Sequence, residues 1–300
     1  MHAAFNKKID ILKLLYEKFK DQININLQNN NGHTAFMNAA DNRNVEVITF
    51  LYEKFKDQIN INLTNKSGNT AFMLAANNKN VETITFLYEH FKGQIDINFT
   101  NKNGNTAFMS ASFNENIEII KYLYDKFKDE ININFANNSG NTAFMLVTTN
   151  PNVEAVTFLY EKFKDQININ LQNNYGNTLF MKAAYTQNVE IITFLYEKFP
   201  NKININSQNN SGNTIFMISA TNPNVEVITF LYEKFKDKIN INLQNTEKYT
   251  AFMIAANNSN VEVITFLYEK FKDQIDINLT NKNGDTVFMK AASNQNVEVI

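Results

Sequence analysis

The chain holds three imidazoles, His2, His33 and His90. Imidazole serves acid–base catalysis or metal ligation only where further groups converge on it. No Ser-His-Asp arrangement and no metal-ligand spacing surrounds any of the three, so each reads as structural. There is no cysteine, which removes thiolate metal sites and disulfides together. The 8 glycines are spread along the chain, so no glycine-rich loop cradles a phosphate. Carboxylates such as Glu53 and Asp57 alternate with Lys54 and Lys56, the pattern of a solvated charged face. The 9 methionines and 26 phenylalanines read as core rather than as a cofactor box, and the recurrent threonines as helix caps rather than nucleophiles. No catalytic, cofactor-binding or metal-binding residue is expected, and the chain reads as a non-enzyme.

Bulk composition narrows the partners. Net charge is -2 with 19% charged residues, so no strong field favours nucleic acid or an anionic membrane. Arg43 is the only arginine, and guanidinium forks are the favoured readers of phosphates and bases. No run of about 18 apolar residues occurs. The opening Met-His-Ala-Ala-Phe-Asn-Lys-Lys lacks the apolar core of a signal peptide. A cytoplasmic, intracellular protein is expected, with neither nucleic acid nor membrane as partner. Sequons such as Asn62-Leu63-Thr64 are expected by accident in so Asn-rich a chain. The asparagine itself has a compositional reading, since Asn, Ile, Lys, Phe and Tyr share A/T-rich codons.

The elements that position these residues repeat. Gly32, Gly68, Gly104, Gly140, Gly176, Gly212 and Gly284 stand 36 or, once, 72 residues apart, and Lys248 fills the gap in register. Thr34 and its equivalents, from Thr70 to Thr286, follow two residues later without exception. All methionines, from Met1 to Met289, share one further register. Residues 1–300 therefore form one array, with a partial unit over 1–31, seven full units over 32–283 and a partial unit over 284–300. Both ends fall inside a unit and no polar capping repeat is visible. The expectation is a piece of a longer array, or a reading frame opened at an internal Met.

The unit at 68–103 shows the elements. Thr70 reads as the N-cap of a short helix ending near Ala75–Ala76, where small side chains admit a close neighbour. Asn80 reads as the N-cap of a longer helix, with Glu82 in its first turn. Val81, Ile84, Leu87, Tyr88 and Phe91 share one face, and Phe86 widens it, as a helix with several neighbours requires. The register of Gly93 holds Asp or Asn elsewhere, as in Asp57 and Asn201, which predicts a left-handed residue closing the helix. Pro200 predicts a shorter helix in its own unit. Ile95, Ile97 and Phe99 alternate with polar residues and read as extended chain, before a turn over Asn101–Gly104. Asn98 recurs in every unit, from Asn26 to Asn278, and its amide is expected to satisfy finger or helix-end backbone groups. One such unit cannot bury its own apolar faces, so stacking supplies the core.

This pattern resembles the ankyrin repeat. Gly68-Asn69-Thr70-Ala71-Phe72-Met73-Leu74-Ala75-Ala76 is similar to the family's G-x-T-P-L-H-x-A-A, and Ile95-Asp96-Ile97-Asn98 to its A-D-V-N. Tetratricopeptide units lack both segments, and leucine-rich repeats are much shorter. The resemblance covers essentially the whole chain and implies an all-α repeat solenoid of helix-turn-helix units with short β-turn fingers. Departures are visible. Family units run about 33 residues, and the extra length here falls around Phe55–Gln58, where an added turn is expected. The family's Pro and His are absent, as in Thr70-Ala71-Phe72-Met73. Its inter-helix Gly is replaced by Arg43, Lys79, Glu115, Pro151, Gln187, Pro223, Ser259 and Gln295. Pro151 and Pro223 exclude a left-handed residue, so a turn unlike the family's glycine turn is expected.

The resemblance implies a non-catalytic scaffold, a monomer, binding another protein or peptide along its concave finger and first-helix face. The matching registers hold mostly Asn, Ser or Thr. The exceptions are the candidate partner-binding residues: Phe113, Tyr175, Tyr185, Tyr249, Lys66, Lys102, Glu247 and Lys282. Exposed aromatics are frequent interface hot spots, and Tyr175 and Tyr185 fall where they could share a face. The alternative is a structural spacer array whose effector lies outside this chain. Uniform finger tips favour the spacer and diversified tips the binder; the tips here are intermediate.

Overall fold

A computed structural model describes residues 3–42, 44–113, 117–149, 152–200, 202–221, 224–258 and 261–293. The chain forms two compact units, Met1–Asn138 and Ser139–Ile300. In the first, α1 (Ala3–Phe19) precedes three helix pairs: α2 (Ala35–Asp41) with α3 (Val45–Phe55), α4 (Ala71–Asn77) with α5 (Val81–Phe91), and α6 (Ala107–Phe113) with α7 (Ile117–Phe127). The second holds α8 (Ala143–Val147) with α9 (Val153–Phe163), α10 (Leu179–Tyr185) with α11 (Val189–Lys198), α12 (Ile215–Ala220) with α13 (Val225–Phe235), α14 (Ala251–Asn257) with α15 (Val261–Phe271), and a last first helix, α16 (Val287–Ala292). Even-numbered helices are thus first helices and odd-numbered ones second helices. Within each unit, first helices stack on first helices and second on second, giving two layers.

Both helix starts follow from their caps. Thr70 Oγ1 accepts from Met73 N–H at 3.3 Å, and the equivalent bond recurs at Thr34, Thr106, Thr142, Thr178, Thr214, Thr250 and Thr286. Asn80 Oδ1 accepts from Glu82 N–H at 2.8 Å, and Asn152, Asn188 and Asn224 act alike. These bonds satisfy donors that a helix start otherwise leaves open.

The methionine register is core: Met37, Met73, Met109, Met145, Met181, Met217 and Met253 are all buried. Second helices add an aromatic ladder. Tyr52 meets Phe86 and Phe91 of the next repeat edge-on at 5.6 and 5.4 Å, and Tyr196 meets Phe230 and Phe235 likewise. This is the second neighbour that the wide apolar stripe calls for. Lys54, on the face read as purely solvated, lies 5.7 Å from the Tyr16 ring and 5.9 Å from Phe50, and Lys234 covers Tyr196 and Phe230. In the outermost units Leu15, Phe19, Phe288 and Met289 are exposed, in registers where inner repeats bury them against a neighbour.

Three local expectations need correction. Among the described residues, none in the register of Asp57 and Gly93 has a positive φ; Asn201 lies outside those residues. The helix ends instead with Lys56 still right-handed, and Phe55 O accepts from both Gln58 and Ile59 N–H, at 2.8 and 3.0 Å. That turn satisfies the terminal carbonyl without a left-handed residue. Pro200 does shorten its helix: α11 has 10 residues where α9 has 11.

Second, the Ile-x-Ile-x segment is a turn. Phe99 N–H reaches Asp96 O at 3.2 Å, and Asn98 N–H reaches Asp96 Oδ1 at 2.8 Å. A short polar side chain that captures the backbone two residues on outcompetes extended pairing. The alternation survives as exposure, with Ile97 buried and Asp96 and Asn98 exposed. Third, Gln187 adopts φ 60, so one inter-helix turn is left-handed. Arg43, Glu115, Pro151, Pro223, Ser259 and Gln295 lie outside the described residues.

Thr83 is fully buried in α5, in a register held by Val47, Ile119, Ala155, Ile191, Val227 and Val263. Its hydroxyl finds no partner, and an unsatisfied buried hydroxyl costs roughly 1–3 kcal/mol. Thr83→Val keeps the shape and removes that cost. We expect it to raise the stability of the chain by about 1 kcal/mol, read as a later urea midpoint at unchanged slope.

Candidate interaction face

Each finger is a tight turn built on one asparagine. In the finger before α10, Asn173 Oδ1 accepts from Tyr175 and Asn177 N–H, both at 3.0 Å, and Gly176 N–H closes the turn on Asn173 O at 2.8 Å. Gly176 has φ +73, which an L side chain rarely adopts. A Cβ there would also lie 2.6 Å from the backbone N of Asn210 in the next finger. The glycine therefore serves both the turn and the approach of its neighbour.

Successive fingers are joined three ways. Asn210 N–H donates to Tyr175 O at 2.9 Å, the backbone rung. Asn209 Nδ2 donates to Asn177 Oδ1 at 2.8 Å, a carboxamide rung, and the same rung links Asn101 to Asn69, Asn137 to Asn105, Asn173 to Asn141 and Asn245 to Asn213. Below the fingers, Asn206 Nδ2 donates to Lys238 O at 2.7 Å while its Oδ1 accepts from Asn240 N–H at 3.2 Å. Asn26 and Asn242 do likewise in their own repeats. The recurrent Asn98 register thus holds a helix-end carbonyl of the next repeat, as its recurrence implies. The finger register beginning at Asn29 and Asn65 carries the carboxamide rungs. Its recurrence in every unit is the sequence signal for it, masked by the varied tip positions beside it.

His33 stands where most other repeats have the accepting Asn. Its Nε2 lies 2.8 Å from Asn65 Nδ2 and its Nδ1 lies 3.2 Å from Asn38 Oδ1, so it serves as a rung. His90 stacks between Tyr52 and Phe86, and His2 lies outside the described residues. Among the described residues no group of acidic, His or Cys side chains could hold a metal. No helix there is long and apolar enough to cross a membrane. A cleft of about 190 Å³ beside Ile61, Phe72, Asp96 and Phe99 recurs in smaller form beside Ile169, Phe180, Asn204 and Ser207. Its size falls below the roughly 300–1,000 Å³ of ligand pockets.

The candidate residues divide into four kinds. Phe113 and Tyr175 are each 64% exposed, and Tyr185, at the end of α10, is 50% exposed. Burial raises the Tyr185 hydroxyl pKa above the usual phenol value, partly opposed by the nearby Asn209 side chain of the following finger. Tyr185 therefore leans toward the finger after its helix, while Tyr175 sits on the finger before it. Lys66 and Lys102 are exposed, and their backbone N–H groups are finger rungs. Glu247 and Lys282 are exposed but pair with one another across adjacent fingers at 3.0 Å. Tyr249 is only half-buried surface: it packs on the cluster of Met253, Ala256 and Val287, with Lys290 Nζ 6.0 Å from its ring centre.

Stacked helix pairs joined by fingers define a helical repeat solenoid. The family model for ankyrin repeats, described in three copies, matches residues 1–98, 91–173, 163–245 and 235–300. The chain belongs to the ankyrin-repeat family, whose members are generally protein–protein interaction modules and typically non-catalytic. No curated protein matches it.

Proposed function

We propose that residues 1–300 act as one array, a monomeric, non-catalytic intracellular scaffold. It binds a partner protein or peptide along the face made by its fingers and first helices. One observation carries this reading. The recurrent finger asparagines of the Asn101 register are consumed by rungs between repeats, and the tips beside them are mostly small and polar, so the face presents distinctive chemistry mainly where the repeat is broken. Tyr175, Phe113 and Tyr185 are large and exposed at those breaks, and such aromatics dominate many interfaces.

The test is capture on the immobilised chain, with Tyr175→Ala/Tyr185→Ala as the matched variant. A protein retained by the wild-type chain should bind the double variant at least about tenfold more weakly, as loss of hot-spot aromatics requires. Equal affinity would remove these tyrosines from the face. A second reading, a structural spacer whose effector lies outside this chain, draws support from the rungs themselves. They hold repeats in register without any partner. On that reading the double variant is silent, and only rung substitutions affect function.

A further inference from the structure

Lys182 lies in a mixed register outside the fingers that no charge-based reading of the tips would reach. Its equivalents on the first-helix face are Leu74, Leu146, Ile218 and Ile254, with polar residues at Asn38, Ser110 and Lys290. α10 packs between α8 and α12, which carry Leu146 and Ile218 at this register. Lys182 is half-buried there, and burial alone lowers the pKa of its ammonium. Its ammonium forms no ion pair or hydrogen bond among the described residues. A long cationic side chain placed among apolar neighbours without a counter-charge gives up hydration and receives nothing for it within the chain.

The chain itself shows what satisfies a lysine in this register. Lys290, three repeats on, has Asp285 Oδ2 at 3.8 Å and the Tyr249 ring at 6.0 Å. The positions matching Asp285 and Tyr249 beside Lys182 are Asn177 and Asn141. Both carboxamides are already spent on rungs, Asn177 with Asn209 and Asn141 with Asn173. The carboxylate present at one site is missing at the other. The described acidic groups on fingers of this unit, Glu247 and Asp285, are themselves paired with Lys282 and Lys290. Tyr185 lies one turn beyond Lys182 on α10, the i,i+3 spacing that puts two side chains side by side. Its phenol, neutral at physiological pH, adds an apolar body and a polar tip without repelling an anion.

We propose that Lys182 anchors a carboxylate side chain of the bound partner, so that the segment lying across α10 is an acidic peptide, with Tyr185 packing beside the anchoring Asp or Glu. This rests on the interaction reading above. A half-buried lysine without an internal acid is a charge held ready for an external one, and a desolvated pair holds better than a pair at an exposed rim.

A displayed library of random dodecapeptides, selected on the full chain, tests it. Selected peptides should share an Asp or Glu at a fixed position. They should bind the Lys182→Met chain about tenfold or more weakly, while Lys182→Arg keeps most of the affinity. Met suits a register of Leu and Ile, so the variant should fold, and unchanged helical circular dichroism checks that. Selected peptides that lack a common carboxylate, or that bind Lys182→Met as well as wild type, overturn the acidic partner and leave the interaction face standing. Enrichment of no peptide overturns the interaction reading and this inference with it.

Discussion

Asn173→Ala should cost about 3 kcal/mol of folding stability, a large loss for a single polar side chain. Asn173 is 6% exposed, so water does not replace its bonds. Its Oδ1 accepts from Tyr175 and Asn177 N–H, and its Nδ2 donates to Asn141 Oδ1 at 2.9 Å. Truncation leaves two backbone donors without partners and removes the bond to Asn141, each worth about 1 kcal/mol. The control is Asn103→Ala at an exposed tip, where the loss should stay within about 0.5 kcal/mol. Because repeats couple mainly to their neighbours, the loss should be local. Amide exchange should accelerate first at Tyr175, Asn177 and the flanking fingers, ahead of the global urea transition. Equal costs for the two substitutions would show that the carboxamide rungs are incidental.

The same contrast separates two kinds of asparagine that composition merges. Codon usage supplies a reason for many asparagines but none for their places. Asn103 does nothing with its side chain that a serine could not do, and Ser67, Ser139 and Ser211 occupy its register. Asn101, two residues earlier, is matched by asparagine in every repeat and joins its finger to the previous one. Uniform tips would favour a spacer, and the tips here are intermediate. Part of that uniformity is the requirement of the rung, so it bears less on whether a partner exists than on how repeats hold together.

Much of the fold was legible because its determinants are local. A Thr before an apolar run caps a helix through its own third neighbour, and a period of 36 residues announces stacking whatever the details. The carboxamide rungs were illegible because each joins residues 32 apart, such as Asn209 and Asn177. Periodicity reveals that a register recurs but not which registers touch. The misread segments are competitions between two local preferences. At Asp96 the side chain's reach to Asn98 N–H overrode alternation, and at Lys56 a continued right-handed turn overrode the left-handed close. At the face, Tyr175 and Phe113 were legible as breaks in an exposed register. Lys182 was not, because its register alternates between Leu, Ile and polar residues and declares neither core nor surface until α8 and α12 are placed beside it.

Gly176→Ala should be about as costly as loss of a rung, and its mirror, Lys248→Gly, should be favourable. At Gly176 an alanine meets two penalties. The left-handed backbone costs an L-residue about 1–2 kcal/mol. Its Cβ would also stand 2.6 Å from Asn210 N and 2.5 Å from Asn210 Oδ1. Relief of that clash requires the next finger to retreat. The retreat weakens Asn210 N–H to Tyr175 O and Asn210 Nδ2 to Asn174 O, now 2.9 and 2.8 Å. The sum is roughly 3 kcal/mol. Lys248 shows what the chain accepts when it breaks this rule. It holds φ 60, and the rung it faces, Lys282 N–H to Glu247 O, is 3.1 Å against 2.9 Å at Lys66, Asn174, Asn210 and Thr246 and 3.0 Å at Lys102 and Asn138, where glycine stands opposite. Lys248→Gly relieves the strain but adds freedom to the unfolded chain, so the net gain should be about 0.5–1 kcal/mol. Slower amide exchange at Lys282 in Lys248→Gly, with faster exchange at Asn210 in Gly176→Ala, would tie both effects to finger contact. A stability change without either local signature would place the cost in the turn alone.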